Sequence, residues 1–294
     1  MSKSPFDDIL SLIADLPGPD ITAGDTARAA VGAHAGRLAD IAAWAAAWSG
    51  RAIPQVNRPI LALYAGANAA LADHGGAERE RLEMVAAGGA RASRLAGLQG
   101  AGLEAFDLAV DRPAPSILKG PAMGERECAA TIAFGMEVMA KQPDLLIVSS
   151  IGQGSALTGA ALAIALGRVR VWTGDPRAAA AAARVAAETL PLELLRHLGG
   201  RETAAALGAI VAARVQRTPV LLDGPAALAA AAVLDALSPG SVSHCRAADA
   251  DPSGLADGLD APPLLNLGVE DGEGSAGMIA LGLVRAACGL AVPL

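Results

Sequence analysis

The feature that most constrains this chain is an alternation: short apolar or β-branched runs recur between longer Ala-rich stretches of helical spacing. Runs of that length read as strands, and a strand that feeds a helix before the next strand builds parallel βα units. The expected strands are Pro59 to Tyr64, Phe106 to Val110, Leu145 to Ser150, Arg168 to Thr173, Thr218 to Asp223, Ser241 to Cys245 and Leu264 to Val269. Helical patterns lie at Arg79 to Leu98, Glu125 to Lys141, Ser155 to Leu166, Ala178 to Thr189, Glu202 to Gln216 and Ala226 to Leu237. The expectation is an α/β fold with a doubly wound, mostly parallel, Rossmann-like sheet. Thr26 to Trp48 and Ser275 to Leu290 are helical with no strand of their own. They are expected to pack together as a small helical domain, residues 1–50 plus 275–294, beside a sheet domain of residues 51–274. At 53% hydrophobic but only 2% aromatic residues, the core must be built from Ala, Val, Leu and Ile.

That composition removes several functions. Few aromatics leave no stacking platform for bases, and a net charge of −7 repels a phosphate backbone, so no nucleic-acid partner is expected. Cys128, Cys245 and Cys288 are too widely spaced for a paired metal site and odd in number, which suits reduced thiols. Asp7 and Asp8 interrupt the apolar stretch that a signal peptide needs. Leu145 to Gly167 is uncharged and long enough to cross a bilayer, but Gly152, Gln153, Gly154 and Ser155 divide it into strand, turn and helix. A soluble, cytoplasmic protein with no membrane partner is therefore expected. His34, His74, His197 and His244 lack metal-ligand spacing, and no Gly-x-Ser-x-Gly elbow occurs, so neither a metal nor a serine triad is expected. No cofactor is expected either.

Four segments could carry chemistry. Ile151-Gly152-Gln153-Gly154-Ser155 ends a strand and opens a helix, where amides and the helix N-terminus could hold a phosphate; it also reads as a plain tight turn. Trp172-Thr173-Gly174-Asp175-Pro176 has the same position with ordinary helix-start chemistry. Asp223, before Gly224 and Pro225, could hold a ribose hydroxyl or an active-site amide, or cap the next helix. Gly272-Glu273-Gly274-Ser275 sets a carboxylate between two glycines, whose missing side chains let a ligand approach. In a partly dry pocket such a Glu would hold its proton more tightly and could act as a base at neutral pH. The alternative there is an N-cap loop with acids at a helix start.

The run Asn266-Leu267-Gly268-Val269-Glu270-Asp271-Gly272-Glu273-Gly274-Ser275-Ala276-Gly277 resembles D-L-G-M-R-L-G-E-G-S-G-A, the C-terminal signature of the nicotinate-nucleotide:dimethylbenzimidazole phosphoribosyltransferase family. Pro191 to Gly200 is similar to the family's P-L-E-V-L-x-x-L-G-G, and Thr218 to Gly224 to its V-P-V-V-L-D-G. Order and spacing agree over roughly the last hundred residues. Fainter likeness reaches back through Ala87-Gly88-Gly89-Ala90, Arg58-Pro59 and Gly36-Arg37-Leu38. The resemblance implies a doubly wound domain with a small helical domain made from both termini, assembled as a homodimer. It implies transfer of ribose phosphate from nicotinate mononucleotide to 5,6-dimethylbenzimidazole or a related base, in cobalamin lower-ligand assembly. Glu273 would be the general base, and Gly152, Gly154, Ser155, Gly174, Asp223, Arg246, Gly272 and Gly274 would bind substrate.

The chain also departs from the pattern. Ser149 to Leu157 stands where the family has G-E-M-G-I-G-N-T-T, so only the glycines remain, and Gly66-Ala67-Asn68-Ala69 replaces A-D-H-G. The base-covering loop after it is short. The family's Lys-Arg loop after Thr173-Gly174 is largely missing, with Arg177 or Arg184 as substitutes, and its H-R-S segment survives as His244-Cys245-Arg246-Ala247. Two readings follow: an enzyme of this family, or a non-catalytic homologue that binds a nucleotide or base or pairs with a competent paralogue as a heterodimer.

Overall fold

The apolar runs pair into one parallel five-stranded sheet. Its strands are β1 (Pro59–Ala65), β2 (Gly102–Asp107), β3 (Leu145–Ile151), β4 (Val220–Leu222) and β5 (Cys245–Ala247), in the order β2-β1-β3-β4-β5. The structure is a computed structural model that describes residues 4–70, 76–169, 174–251, 258–269 and 273–292. Register is set by Ile60 opposite Gly102, Leu61 opposite Ile147, Leu146 opposite Val220 and Val220 opposite Cys245.

The helices are α1 (Asp7–Ala14), α2 (Ile21–Val31), α3 (Arg37–Ser49), α4 (Gly76–Ala86), α5 (Arg91–Gln99), α6 (Glu125–Gly135), α7 (Ser155–Ala165), α8 (Pro176–Arg184), α9 (Pro191–Leu198), α10 (Arg201–Val215), α11 (Pro225–Leu237) and α12 (Ser275–Leu290). Alternate strand residues divide between two cores. Ala62, Tyr64, Leu146, Val148, Val220 and Leu222 face α6, α7, α10 and α11. Leu61, Leu63, Leu145, Ile147 and Leu221 face α3, α5 and α12. Burial on both faces is what parallel strands require, and it explains why these runs are apolar throughout rather than alternating.

The outcome differs from the sequence reading in particular places. The second strand is Gly102–Asp107, not Phe106 to Val110; it pairs only with β1 and is half exposed, so its apolar signal is weak. Ser241 to His244 carry no strand, and β5 begins only at Cys245, the last residue of that expected element. Arg168 and Val169 carry no strand, and the rest of that expected element, residues 170–173, lies outside the described residues. Leu264 to Val269 forms only a single bridge, Asp249 with Leu265, because the Asp249 carboxylate takes the amides of Leu267 and Val269 that a strand would offer its neighbour. Arg79 to Leu98 and Thr26 to Trp48 are each two helices, broken at Ala87–Ala90 and at residues 32–36. Glu125 to Lys141 tightens to a 3₁₀ turn after Gly135.

Helix α12 packs against α3 and also against β3 and β4. The terminal helices are tied to the sheet by Trp48, whose Nε1 donates to the Ser243 carbonyl at 3.0 Å and whose ring lies 4.3 Å from the Arg214 guanidinium. Among the described residues no helix is long and apolar enough to cross a membrane, and no cluster of His, Cys, Asp and Glu could hold a metal. The three cysteines are free and buried, and burial pushes the Cys128 and Cys288 thiols up to about 12.

Candidate active site

The order β2-β1-β3 reverses direction at β1, so the carboxyl ends of β1 and β3 lie at the switch point, the place where open α/β sheets bind ligands. There the Gly66 amide donates to the Ile151 carbonyl at 2.9 Å. A β-carbon at Gly66 would overlap the Glu202 carboxylate and force it to shift. On the facing side a β-carbon at Gly152 would lie 2.8 Å from the Gly66 carbonyl oxygen, and one at Gly154 2.8 Å from the Asn68 β-carbon. The two strand ends meet backbone to backbone, and Ser155 opens α7 directly above.

Two carboxyls flank this turn. Glu78, on α4 and 1% exposed, accepts the Gln153 amide at 3.0 Å. Glu202, on the first turn of α10, accepts the Ser155 hydroxyl at 3.2 Å, and Ser150 Oγ lies 3.5 Å from Ser155 Oγ. Burial pushes the Glu202 carboxyl above its ordinary value; the Ser155 bond and the Arg201 charge oppose this, and Glu78 adds to it. The Gly199-Gly200 turn between α9 and α10 carries Glu202 into position.

The second half of the site is the start of α12. Gly274 is left-handed, at φ +96°, and a β-carbon on it would lie 2.6 Å from Leu61, so the residue after Glu273 is pressed onto β1. Asp223, 3% exposed at the end of β4, accepts the Gly277 amide at 2.7 Å. It thus binds an amide of the helix that follows Glu273, a helix distant in sequence. Asp249, at the end of β5, holds the approach to the same turn through the Leu267 and Val269 amides, both at 2.8 Å. Burial opposes its charge, but the amides of Val269, Leu267 and Ala250 outweigh that and hold the carboxyl below the usual aspartate range. Glu273 itself has a side chain 18% exposed, with Oε1 3.0 Å from Arg81 Nη1. Arg81 and Glu78 are three residues apart on one face of α4, so a single helix touches both the glycine turn and Glu273.

Gly152, Gly154, Ser155, Asp223, Glu273 and Gly274 therefore lie at the carboxyl edge of the sheet or at the turn bonded to it. Gly272 lies outside the described residues. Gly174 is exposed ahead of α8, where Asp175 caps the helix through the Arg177 amide at 2.9 Å. Arg177 pairs with Asp175, and Arg184 donates to the carbonyls of Ile117 and Gly120. Arg246 is in the middle of β5, with its guanidinium 5.2 Å from the Trp44 ring and donating to the Cys245 carbonyl at 2.8 Å. It lines a separate cavity of about 490 Å³ between α2, α3 and residues 260–264. His244 is buried against the Ile210 carbonyl, and burial drives it down to about 3. Glu78, Arg81, Glu202 and Asp249 were not singled out by the sequence, where an acid or arginine in a charged helix reads as a solvated face. Three polar atoms of these turns and helix starts, Asn68 Nδ2, Glu202 Oε2 and Ser275 Oγ, are buried with no hydrogen-bond partner among the described residues. Such orphans are uncommon in folded proteins and fit a site that a ligand completes.

Comparison with known proteins follows the same lines. A family model described as phosphoribosyltransferase matches residues 27–292. The nicotinate-nucleotide–dimethylbenzimidazole phosphoribosyltransferase of Agrobacterium fabrum is 42% identical over 319 positions, covering 98% of this chain and 92% of the relative. That of Rhizobium rhizogenes is 43% identical, covering 96% and 93%. An alignment of 319 positions against a chain of 294 residues carries gaps on this chain's side. The crystal structure of nicotinate-nucleotide-dimethylbenzimidazole phosphoribosyltransferase from Thermus thermophilus shares the fold, with a TM-score of 0.80 at 24% identity over 92% of this chain and 96% of that one.

Proposed function

The chain belongs to the nicotinate-nucleotide:dimethylbenzimidazole phosphoribosyltransferase family, and from that premise we propose that it transfers ribose phosphate from nicotinate mononucleotide to 5,6-dimethylbenzimidazole or a related base, with Glu273 as the general base. In this reaction one ring nitrogen of the acceptor attacks the anomeric carbon while Glu273 takes the proton from the other. The bond to nicotinate breaks with its electron pair moving onto the pyridinium nitrogen, so nicotinate leaves and the sugar inverts. Taking the proton keeps positive charge off the product base.

The observation that carries this reading is the presentation of Glu273: a largely buried carboxylate on a turn pinned by Gly274 on Leu61 and by Asp223 on Gly277, on the sheet whose order switches at β1–β3. The Gly152–Ser155 turn and the start of α7 are the proposed phosphate seat. A cytoplasmic homodimer working in cobalamin lower-ligand assembly is part of the same proposal.

The test is nicotinate release from nicotinate mononucleotide by the purified protein with a panel of benzimidazoles and purines. Glu273→Gln is expected to lower turnover by a factor on the order of 10²–10⁴ with unchanged thermal stability. No release with any acceptor would sink the proposal; full turnover in the variant would remove Glu273 from its role.

A further inference from the structure

We propose that Arg81 is a positioning residue for Glu273: α4, anchored by Glu78 on the glycine turn, holds a guanidinium against the base and keeps its carboxylate oriented and ionised. The inference rests on the reading of Glu273 as the base. Its grounds are the 3.0 Å approach of Arg81 Nη1 to Glu273 Oε1 and the contrast in exposure, 48% for the Arg81 side chain against 18% for Glu273. The cation reaches in from the solvent side to a carboxylate that has little water of its own.

Neighbouring carboxylates disfavour one another's ionisation, which gives a reason for such a partner. Asp223 is bonded one turn further along α12 and Asp249 on the approach, so these elements bring two more negative charges to the neighbourhood. Arg81 is the cation that α4 supplies to this turn. Its placement follows from Glu78, which is buried on the same helix face and fixed at 3.0 Å to the Gln153 amide. Arg79, two residues before Arg81, is turned instead to Asp107, at 2.9 Å, and to Asp111. A general base must be both ionised and aimed, and one cation at a fixed distance meets both needs.

The measurement is a pH titration of the ligand-free protein labelled with ¹³C-carboxyl glutamate, with the Glu273 signal identified by its loss in Glu273→Gln. In Arg81→Met the Glu273 midpoint is expected to move up by about 0.5–1 pH unit, the usual effect of an adjacent opposite charge reduced for the exposure of the arginine. Arg81→Lys is expected to restore most of that shift. In turnover, Arg81→Met is expected to lower kcat for nicotinate release several-fold while KM for the donor changes less than twofold, with the acid limb of the kcat profile moving up in step. An unchanged midpoint in Arg81→Met, or a raised KM with kcat intact, overturns the inference. The midpoint is read without substrate, so it does not depend on whether these substrates are turned over.

Discussion

Asp223 offers a test that separates a structural role from a substrate contact. In the ligand-free structure its carboxylate accepts the Gly277 amide at 2.7 Å, with the aspartate 3% exposed. Asp223→Ala leaves that amide buried without its acceptor. A hydrogen bond to a charged group contributes about 1.5–3 kcal/mol, and the orphaned donor keeps its full desolvation cost, so a loss of about 2–3 kcal/mol is expected. For a chain of this length each kcal/mol is worth roughly 2 °C in Tm, which places the fall at about 4–6 °C. Asp223→Asn keeps an acceptor oxygen but not the charge and is expected to lose about half as much. Gly277 lies four residues beyond Glu273, so a loosened first turn of α12 also misplaces the proposed base, and kcat should fall more than KM rises. The assays are thermal unfolding of the free protein and nicotinate release. If Asp223→Ala melts within about 1 °C of the parent while the donor KM rises steeply, Asp223 touches substrate and the helix-holding argument is refuted.

Two further outcomes test the packing and the buried acid. Gly208 on α10 meets the Ile132 carbonyl of α6 so closely that a β-carbon would overlap it; Gly208→Ala, which would favour an isolated helix by up to about 1 kcal/mol, should instead lower Tm by several degrees, and a raised Tm would show that the two helices do not pack this way. Burial raises the Glu202 carboxyl in the folded state above the ordinary glutamate value of 4.5, so its contribution to stability is complete below that pH and is lost as pH rises through the folded midpoint. The unfolding free energy of Glu202→Gln relative to the parent should therefore climb as pH rises from about 4.5, by up to about 1.4 kcal/mol per unit across that window; a difference independent of pH would contradict the raised carboxyl.

The sequence by itself determined the fold class, because strands buried on both faces have to be apolar throughout and the crossovers between them have to be helical. β1 and β3, the central pair, were legible for that reason. Glu273, the glycine turn and Asp223 stood out as candidates because each sets glycine beside a polar or acidic residue where a strand or turn meets a helix. What sequence could not reach depended on partners far along the chain. β2 is an edge strand with half its surface in water, so its pattern is diluted. Leu264 to Val269 has the composition of a strand, but the Asp249 carboxylate, well upstream in the chain, claims its amides. Arg246, chosen by analogy, faces Trp44 because strand register sends it to the helical side of β5. Glu202, Glu78 and Arg81 look like surface charge on a helix, and only the closing of β1 onto β3 and the docking of α4 across both turns them into parts of a site. Local chemistry is written in neighbours; the pairing of carboxylates with distant amides and a guanidinium is decided when the sheet reverses direction at β1 and brings three separate chain ends to one edge.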